Sequence, residues 1–172
     1  MPTLFIDEVK GKSYRLVAVS VNNSEMARLR KVLRNQVLPG QRSVHFAKEQ
    51  DQRRKAFLST CRNLRFVAYE VDLGNGHEFD LRPLGLQKLV VLARELKAER
   101  LVLDLDESIR TSDELELSRA IRIDSPEFSI GFDHMQRHEE PLLWVADAIA
   151  WSINRGGTWL PLVEPMLRKF ET

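Results

Sequence analysis

Residues 100–106 read RLVLDLD. Leu101, Val102, Leu103 and Leu105 are apolar whichever way they point, so the stretch reads as a strand buried on both faces, a central or parallel position in a layered α/β protein. A parallel neighbour requires a crossover of roughly a dozen residues or more, most often a helix. Candidates stand on either side. Upstream, Pro83 suits a first helical position, with an apolar stripe of Leu86, Leu89, Val90, Ala93 and Leu96 behind it. Downstream, Thr111 with Glu114 opens a short helix, and FSIGF (128–132) is a last strand after Pro126.

The same pattern extends to both ends. TLFID (3–7) is a strand, Lys10-Gly11-Lys12 a turn, and Tyr14–Val21 its β-branched antiparallel partner. Asn22 with Glu25 has the spacing of a capping box ahead of Met26, Leu29, Val32 and Leu33, a helix that ends near Pro39-Gly40. SVHFA (43–47) reads as a short strand, 49–62 as a helix, and LRFVAYEVD (64–72) as a strand closed by Gly74-Asn75-Gly76. Two helices finish the chain, one around Leu142–Trp151 and one near Pro161–Phe170. The expectation is an α/β fold: a mixed β-sheet with an N-terminal antiparallel hairpin, flanked by helices, in a single domain spanning 1–172.

Composition narrows the classes of function. The 172 residues are 43% hydrophobic, enough for a substantial core. No apolar run reaches bilayer length, and no basic segment leads into a hydrophobic one at the N-terminus, so the expected location is the cytoplasm and no membrane partner is expected. Cys61 is the lone cysteine, which excludes an intrachain disulfide and a thiolate metal site. Lys and Arg number 26 against 25 Asp and Glu, a net charge of +1 without the footprint of a nucleic-acid binder. Base does gather in MARLRKVLR (26–34) and DQRRKAF (51–57). Solvated helix faces account for such runs, and phosphate contact is the alternative.

Three acids interrupt apolar sequence. Alternation along β-structure puts Asp7 on the face of Phe5, and Asp104 and Asp106 on the face of Val102. Asp147 is the one polar residue between Leu142 and Trp151, with Leu143, Trp144, Ala150 and Trp151 as helical neighbours. A buried charge without a partner costs several kcal/mol. Clustered without a cation, such acids repel and one takes up a proton. Around Mg²⁺ or Mn²⁺ they supply the oxygen ligands those ions prefer, and paired ions of this kind serve phosphodiester cleavage. The alternatives are local: Asp7 and Glu8 marking a turn, Asp106 and Glu107 capping the segment after them, Asp147 paired with an arginine such as Arg155.

FIDE (5–8), VHF (44–46), LVLD (101–104) and EEPLLWVADAIAW (139–151) together resemble the uncharacterised family called domain of unknown function 3800, over roughly Leu4 to Arg155. The resemblance implies a ribonuclease H-like (integrase-like) fold and a metal-dependent nuclease site. It implies Asp7 and Glu8 as opening acids, Asp104 on the middle strand, Asp147 on the helix, and His45 facing the site. Val9 and Lys10 depart from the Ser-Gly of the family's opening motif. Trp144 stands where the family often has glutamine, one turn from Asp147, where it restricts the site.

Other constellations are weaker. DLDES (104–108) is similar to the first motif of haloacid-dehalogenase-type phosphatases, with Asp104 as nucleophile and Asp106 as acid–base, but no downstream acidic pair with a suitably placed lysine supports it. A calcium loop from Asp104 fails because Ile109 replaces the required glycine. His134 and His138 have a metal-pinching spacing, yet their segment reads as a loop, from which His134 assists proton transfer if it lies near the acids. The expected activity is hydrolysis of phosphodiesters in DNA or RNA at a Mg²⁺ or Mn²⁺ site made by Asp7, Asp104 and Asp147. Glu8 and His45 assist, and Arg28, Lys31 and Arg54 hold the phosphate backbone of a nucleic-acid partner. The alternative is a catalytically inactive relative acting in regulation or interaction.

Overall fold

Strands β1 (Pro2–Lys10) and β2 (Tyr14–Asn22) form the expected hairpin, in register from Pro2 opposite Asn22 to Lys10 opposite Tyr14. The computed structural model describes residues 1–124, 127 and 129–171. Along the chain come α1 (Met26–Arg34), α2 (Asp51–Arg62), β3 (Val67–Asp72), α3 (Glu78–Glu95), β4 (Arg100–Asp104), α4 (Arg110–Asp124), β5 (Gly131–Met135), α5 (Leu142–Arg155), α6 (Leu160–Val163) and β6 (Leu167–Lys169).

Among the described residues these strands make one six-stranded sheet, in the order β5-β4-β1-β2-β3-β6. The β1-β2-β3 portion is antiparallel, while β4 lies parallel to β1 and β5 parallel to β4. Crossover helices α3 and α4 cover one face, so β4 is sealed on both sides and Leu101, Val102 and Leu103 are buried, as RLVLDLD requires. On that face Leu4, Ile6, Leu16, Ala18, Leu101 and Leu103 pack against Leu86, Leu89, Val90 and Leu117. On the other, Phe5, Val17, Val19 and Val102 meet α5, whose apolar residues are buried almost all round. Gly85 seats α3 tightly, because a Cβ there would lie 2.6 Å from Leu16 Cδ1 and 2.7 Å from Leu73 Cδ1.

Several expectations need correction. SVHFA is not a strand: His45 is extended but leads into a 3-10 turn over Phe46–Lys48, and the Phe46 N–H donates to Asp147 Oδ2 at 2.9 Å instead of to a sheet neighbour. The terminal helix stops after one turn, since Pro165 lacks the N–H to continue it, and the chain leaves as β6 beside β3. Helix α3 begins five residues ahead of Pro83, with His77 Nδ1 accepting the Phe79 N–H at its N-cap. Asn22 closes a local turn by accepting from Ser24, and Glu25 makes no side-chain cap. The helix opened near Thr111 is a full crossover of 15 residues. Strand β5, at one edge of the sheet, begins at Gly131, after Ser129 and Ile130, and its partners on β4 run from Arg100–Gly131 to Asp104–Met135. Pro126 and Phe128 of the FSIGF reading lie outside the described residues.

Candidate active site

Parallel pairing of β1 with β4 sets Phe5 beside Val102 and Ile6 beside Leu103, and the next residue on each strand is an aspartate, Asp7 and Asp104. Alternation gives each the α5 face, which Phe5 and Val102 occupy two residues earlier. Helix α5 lays Asp147 over the same strand ends. Three carboxylates distant in sequence therefore face one region where the β1–β4 pairing ends, near enough for the charges of Asp147 and Asp104 to act on Asp7. Burial first, and then the charge of Asp147, push the Asp7 carboxyl well above the usual carboxylate range. The Glu8 N–H, donating to Asp7 Oδ1 at 2.8 Å, and the charge of Arg137 pull the other way without reversing the shift, and Asp104 adds to it.

The centre holds a residue whose sequence context gives no hint of it. Arg137, in the segment between β5 and α5, places Nη2 at 2.8 Å from Asp104 Oδ2 and Nη1 at 2.6 Å from Asp147 Oδ2. The same Nη1 lies 3.2 Å from His45 Nδ1. Arginine has only donors, so His45 Nδ1 accepts and the proton sits on the far nitrogen. Burial, then the Arg137 charge, hold His45 below its ordinary range, consistent with a neutral ring. Burial opposes the guanidinium charge as well, yet Asp147, Asp104 and Asp7 together keep Arg137 more firmly protonated than usual. The arginine partner of Asp147 is thus Arg137 and not Arg155.

Trp144 anchors this arrangement instead of narrowing it. It is buried, and its indole N–H donates to the Arg137 carbonyl at 2.7 Å. One helix thereby holds Arg137 twice, by its backbone through Trp144 and by its head group through Asp147, one turn apart. The 3-10 turn that follows His45 is held by Arg54. Its Nε donates to Phe46 O and its Nη2 to Ala47 O, both at 2.8 Å, and its guanidinium lies 4.3 Å from the Trp151 ring centroid.

Glu8 does not join the acids, since alternation turns it to the opposite face. There it accepts from Tyr14 Oη and Arg82 Nη1, each at 2.7 Å. Arg82 grips Asp113 with two bonds of 2.7 and 2.8 Å, and His134 Nε2 lies 3.1 Å from the same carboxylate. Burial works against the charge of Asp113, but hydrogen bonds from Arg82 and His134 hold its pKa below the usual range. His134 is therefore a buried strand residue on the α4 side of the sheet, not a loop histidine near the three acids. Asp106 is exposed and accepts from the Ser108 N–H and hydroxyl at 3.0 and 2.6 Å, the local turn that formed its alternative reading. Arg28 pairs with Glu25 at 3.0 Å and Lys31 is exposed on α1. Among the described residues, neither they nor Arg54 makes an ion pair with Asp7, Asp104 or Asp147.

The donor set is all carboxylate oxygen, the kind a hard divalent ion takes. Its arrangement is another matter. Among the described residues no three acidic, histidine or cysteine groups stand close enough to hold a metal ion, and Arg137 engages one oxygen each of Asp104 and Asp147. A hollow of about 100 Å³ borders Asp7, Asp104 and Asp106, and its remaining walls are Glu8, Arg82 and apolar side chains including Leu16 and Ile109.

No family model matches the chain, and no curated protein matches it by sequence. Among solved structures it is similar to a ribonuclease HII of Archaeoglobus fulgidus, determined in complex with PCNA. The two are 16% identical, with a TM-score of 0.55, over 90% of this chain and 73% of that one. Among the described residues no helix is long and apolar enough to cross a membrane. The six-stranded mixed sheet, its antiparallel hairpin and its flanking helices are a ribonuclease H-like fold.

Proposed function

We propose that the chain is a single ribonuclease H-like domain that hydrolyses phosphodiester bonds in DNA or RNA at Asp7, Asp104 and Asp147, in a cytoplasmic setting. One observation carries the reading: three acids from β1, β4 and α5 converge at the carboxyl ends of adjacent parallel strands, where one guanidinium faces three carboxylates. That surplus of negative charge is a place for a further cation. The motif resemblance to domain of unknown function 3800 supports the same three residues.

Mg²⁺ or Mn²⁺ bound there would activate water and stabilise a leaving oxygen. The chain's own contribution is placement. The β1–β4 pairing sets Asp7 against Asp104, and α5 brings Asp147 over them. A neutral His45 carries its proton on the outer nitrogen, which would donate to a water or a phosphate oxygen. Glu8 acts from the far face, where Tyr14 and Arg82 fix the end of β1 behind Asp7. Arg54 is a positioning residue for His45 and Phe46, which leaves Arg28 and Lys31 as the proposed backbone contacts on α1.

A second reading, an inactive relative serving in regulation or interaction, is favoured by the Arg137 contacts, since an internal cation already neutralises part of the cluster. Incubation of labelled DNA and RNA oligonucleotides with the protein and Mn²⁺ separates the two. The nuclease reading expects cleavage that is lost in Asp104→Asn and Asp147→Asn. Cleavage surviving both substitutions, or absent from wild type and from an Arg137 variant alike, overturns it.

A further inference from the structure

Arg137 is built into its position. Its guanidinium is held by Asp104 of β4, Asp147 of α5 and His45 of the segment before the 3-10 turn, and its carbonyl by the Trp144 indole. Four points of attachment from three separate parts of the chain are more than a surface arginine finding a nearby acid. The oxygens it engages, Oδ2 of Asp104 and Oδ2 of Asp147, belong to two of the three acids that a divalent ion would need.

We infer that Arg137 is an internal competitor for divalent cations: guanidinium and metal ion claim the same carboxylate oxygens, so loading the site requires the arginine to leave it. This rests on the nuclease reading above and adds to it a regulation of the same site. Charge explains why the competition is close. With Arg137 in place three carboxylates face one positive charge, so the cluster still attracts a cation. The attraction is weaker than for the bare cluster, and the coordinating oxygens of Asp104 and Asp147 are engaged. Metal affinity in the wild type is then an exchange of one cation for another, not a filling of open coordination. The apparent affinity of the wild type is then lowered in proportion to the fraction of molecules in which Arg137 has left the carboxylates.

The test is Mn²⁺ binding in the absence of substrate, read from the loss of the free-ion electron paramagnetic resonance signal and from calorimetry. Wild type is compared with Arg137→Gln, Arg137→Lys and the double variant Arg137→Gln/Asp147→Asn. The expected result is binding at least about tenfold tighter in Arg137→Gln than in wild type, as when the arginine vacates the carboxylates in no more than about one molecule in ten. Arg137→Lys should fall between, because an ammonium lacks the planar fork that reaches both carboxylates. The double variant should lose the gain. If Arg137→Gln fails to fold, the lysine variant carries the comparison alone, and affinity equal to wild type overturns the inference. Wild type binding Mn²⁺ as tightly as Arg137→Gln refutes the competition and leaves the metal site standing. No binding by any folded variant at millimolar Mn²⁺ removes the metal site, and the competition with it.

Discussion

Replacing Arg137 with methionine keeps the aliphatic bulk and removes the cation that pairs with Asp104 and Asp147. The magnitude comes from one charge-assisted hydrogen bond, to Asp104 at 2.8 Å, and an ion pair with Asp147 at 2.6 Å. Such a hydrogen bond contributes about 1.5–3 kcal/mol, and a partly exposed ion pair up to about 1 kcal/mol. The site is neither sealed nor open, with side-chain exposures of 20% for Arg137, 31% for Asp104 and 14% for Asp147. Solvent screening therefore favours the low end, and the loss at pH 8 should be about 2 kcal/mol. For a chain of this size that lowers Tm by roughly 4–8 °C. The pH dependence has a definite sign. Asp7 already has a folded pKa raised above its unfolded value, and removing a cation raises it further. An acid of that kind disfavours the folded state once ionised, and protonation below its folded pKa relieves the penalty. The stability deficit of Arg137→Met, measured by urea melts, should thus shrink as pH falls from 8 toward 5. An unchanged midpoint at pH 8, or a deficit that does not vary with pH, refutes the electrostatic account of the cluster.

Further expectations concern residues that support the site. Asp113→Asn breaks the two-bond grip on Arg82, and urea melts at pH 7 should show a loss of about 3 kcal/mol, the lower end for a broken buried pair because Glu8 still binds the guanidinium. Asp113 has a folded pKa below its unfolded one, so its contribution is complete above about pH 3.9 and is lost as pH falls through the folded value. The deficit should accordingly narrow in strong acid, and a deficit constant down to pH 2 would contradict this. Trp144→Phe leaves the Arg137 carbonyl without its indole donor and should cost about 1–3 kcal/mol in the same assay, whereas a neutral result would mean that Trp144 does not anchor Arg137.

Much of this architecture was legible because burial leaves period-specific marks. The doubly buried RLVLDLD could only be a central strand, and alternation alone put Asp7 and Asp104 on faces that a parallel pairing then aligned. That same alternation already placed Glu8 opposite Asp7, although adjacency in sequence and the opening acidic motif grouped the two. SVHFA carried the composition of a strand, but the N–H of Phe46 serves Asp147 and the chain turns into a 3-10 turn there. Arg137 was hidden for a different reason. MQRHEE looks like any solvated polar connection, and nothing local shows that Arg137 turns inward. The usable signal was global: three acids in apolar settings demand positive charge, and basic side chains within the chain were candidates for it alongside a metal. Arg82 and Asp113 sit on helices whose packing brings them together, a contact that periodicity along either helix does not reveal.

The most direct test of the shared acidic centre is the titration of Asp7 followed by the ¹³C resonance of its carboxyl group, in wild type and in Asp147→Asn. Convergence predicts a midpoint well above the ordinary value near 3.9, and a lower one once the neighbouring charge is gone. A midpoint at or below the ordinary value, or one that Asp147→Asn leaves in place, would mean that these acids do not share a site.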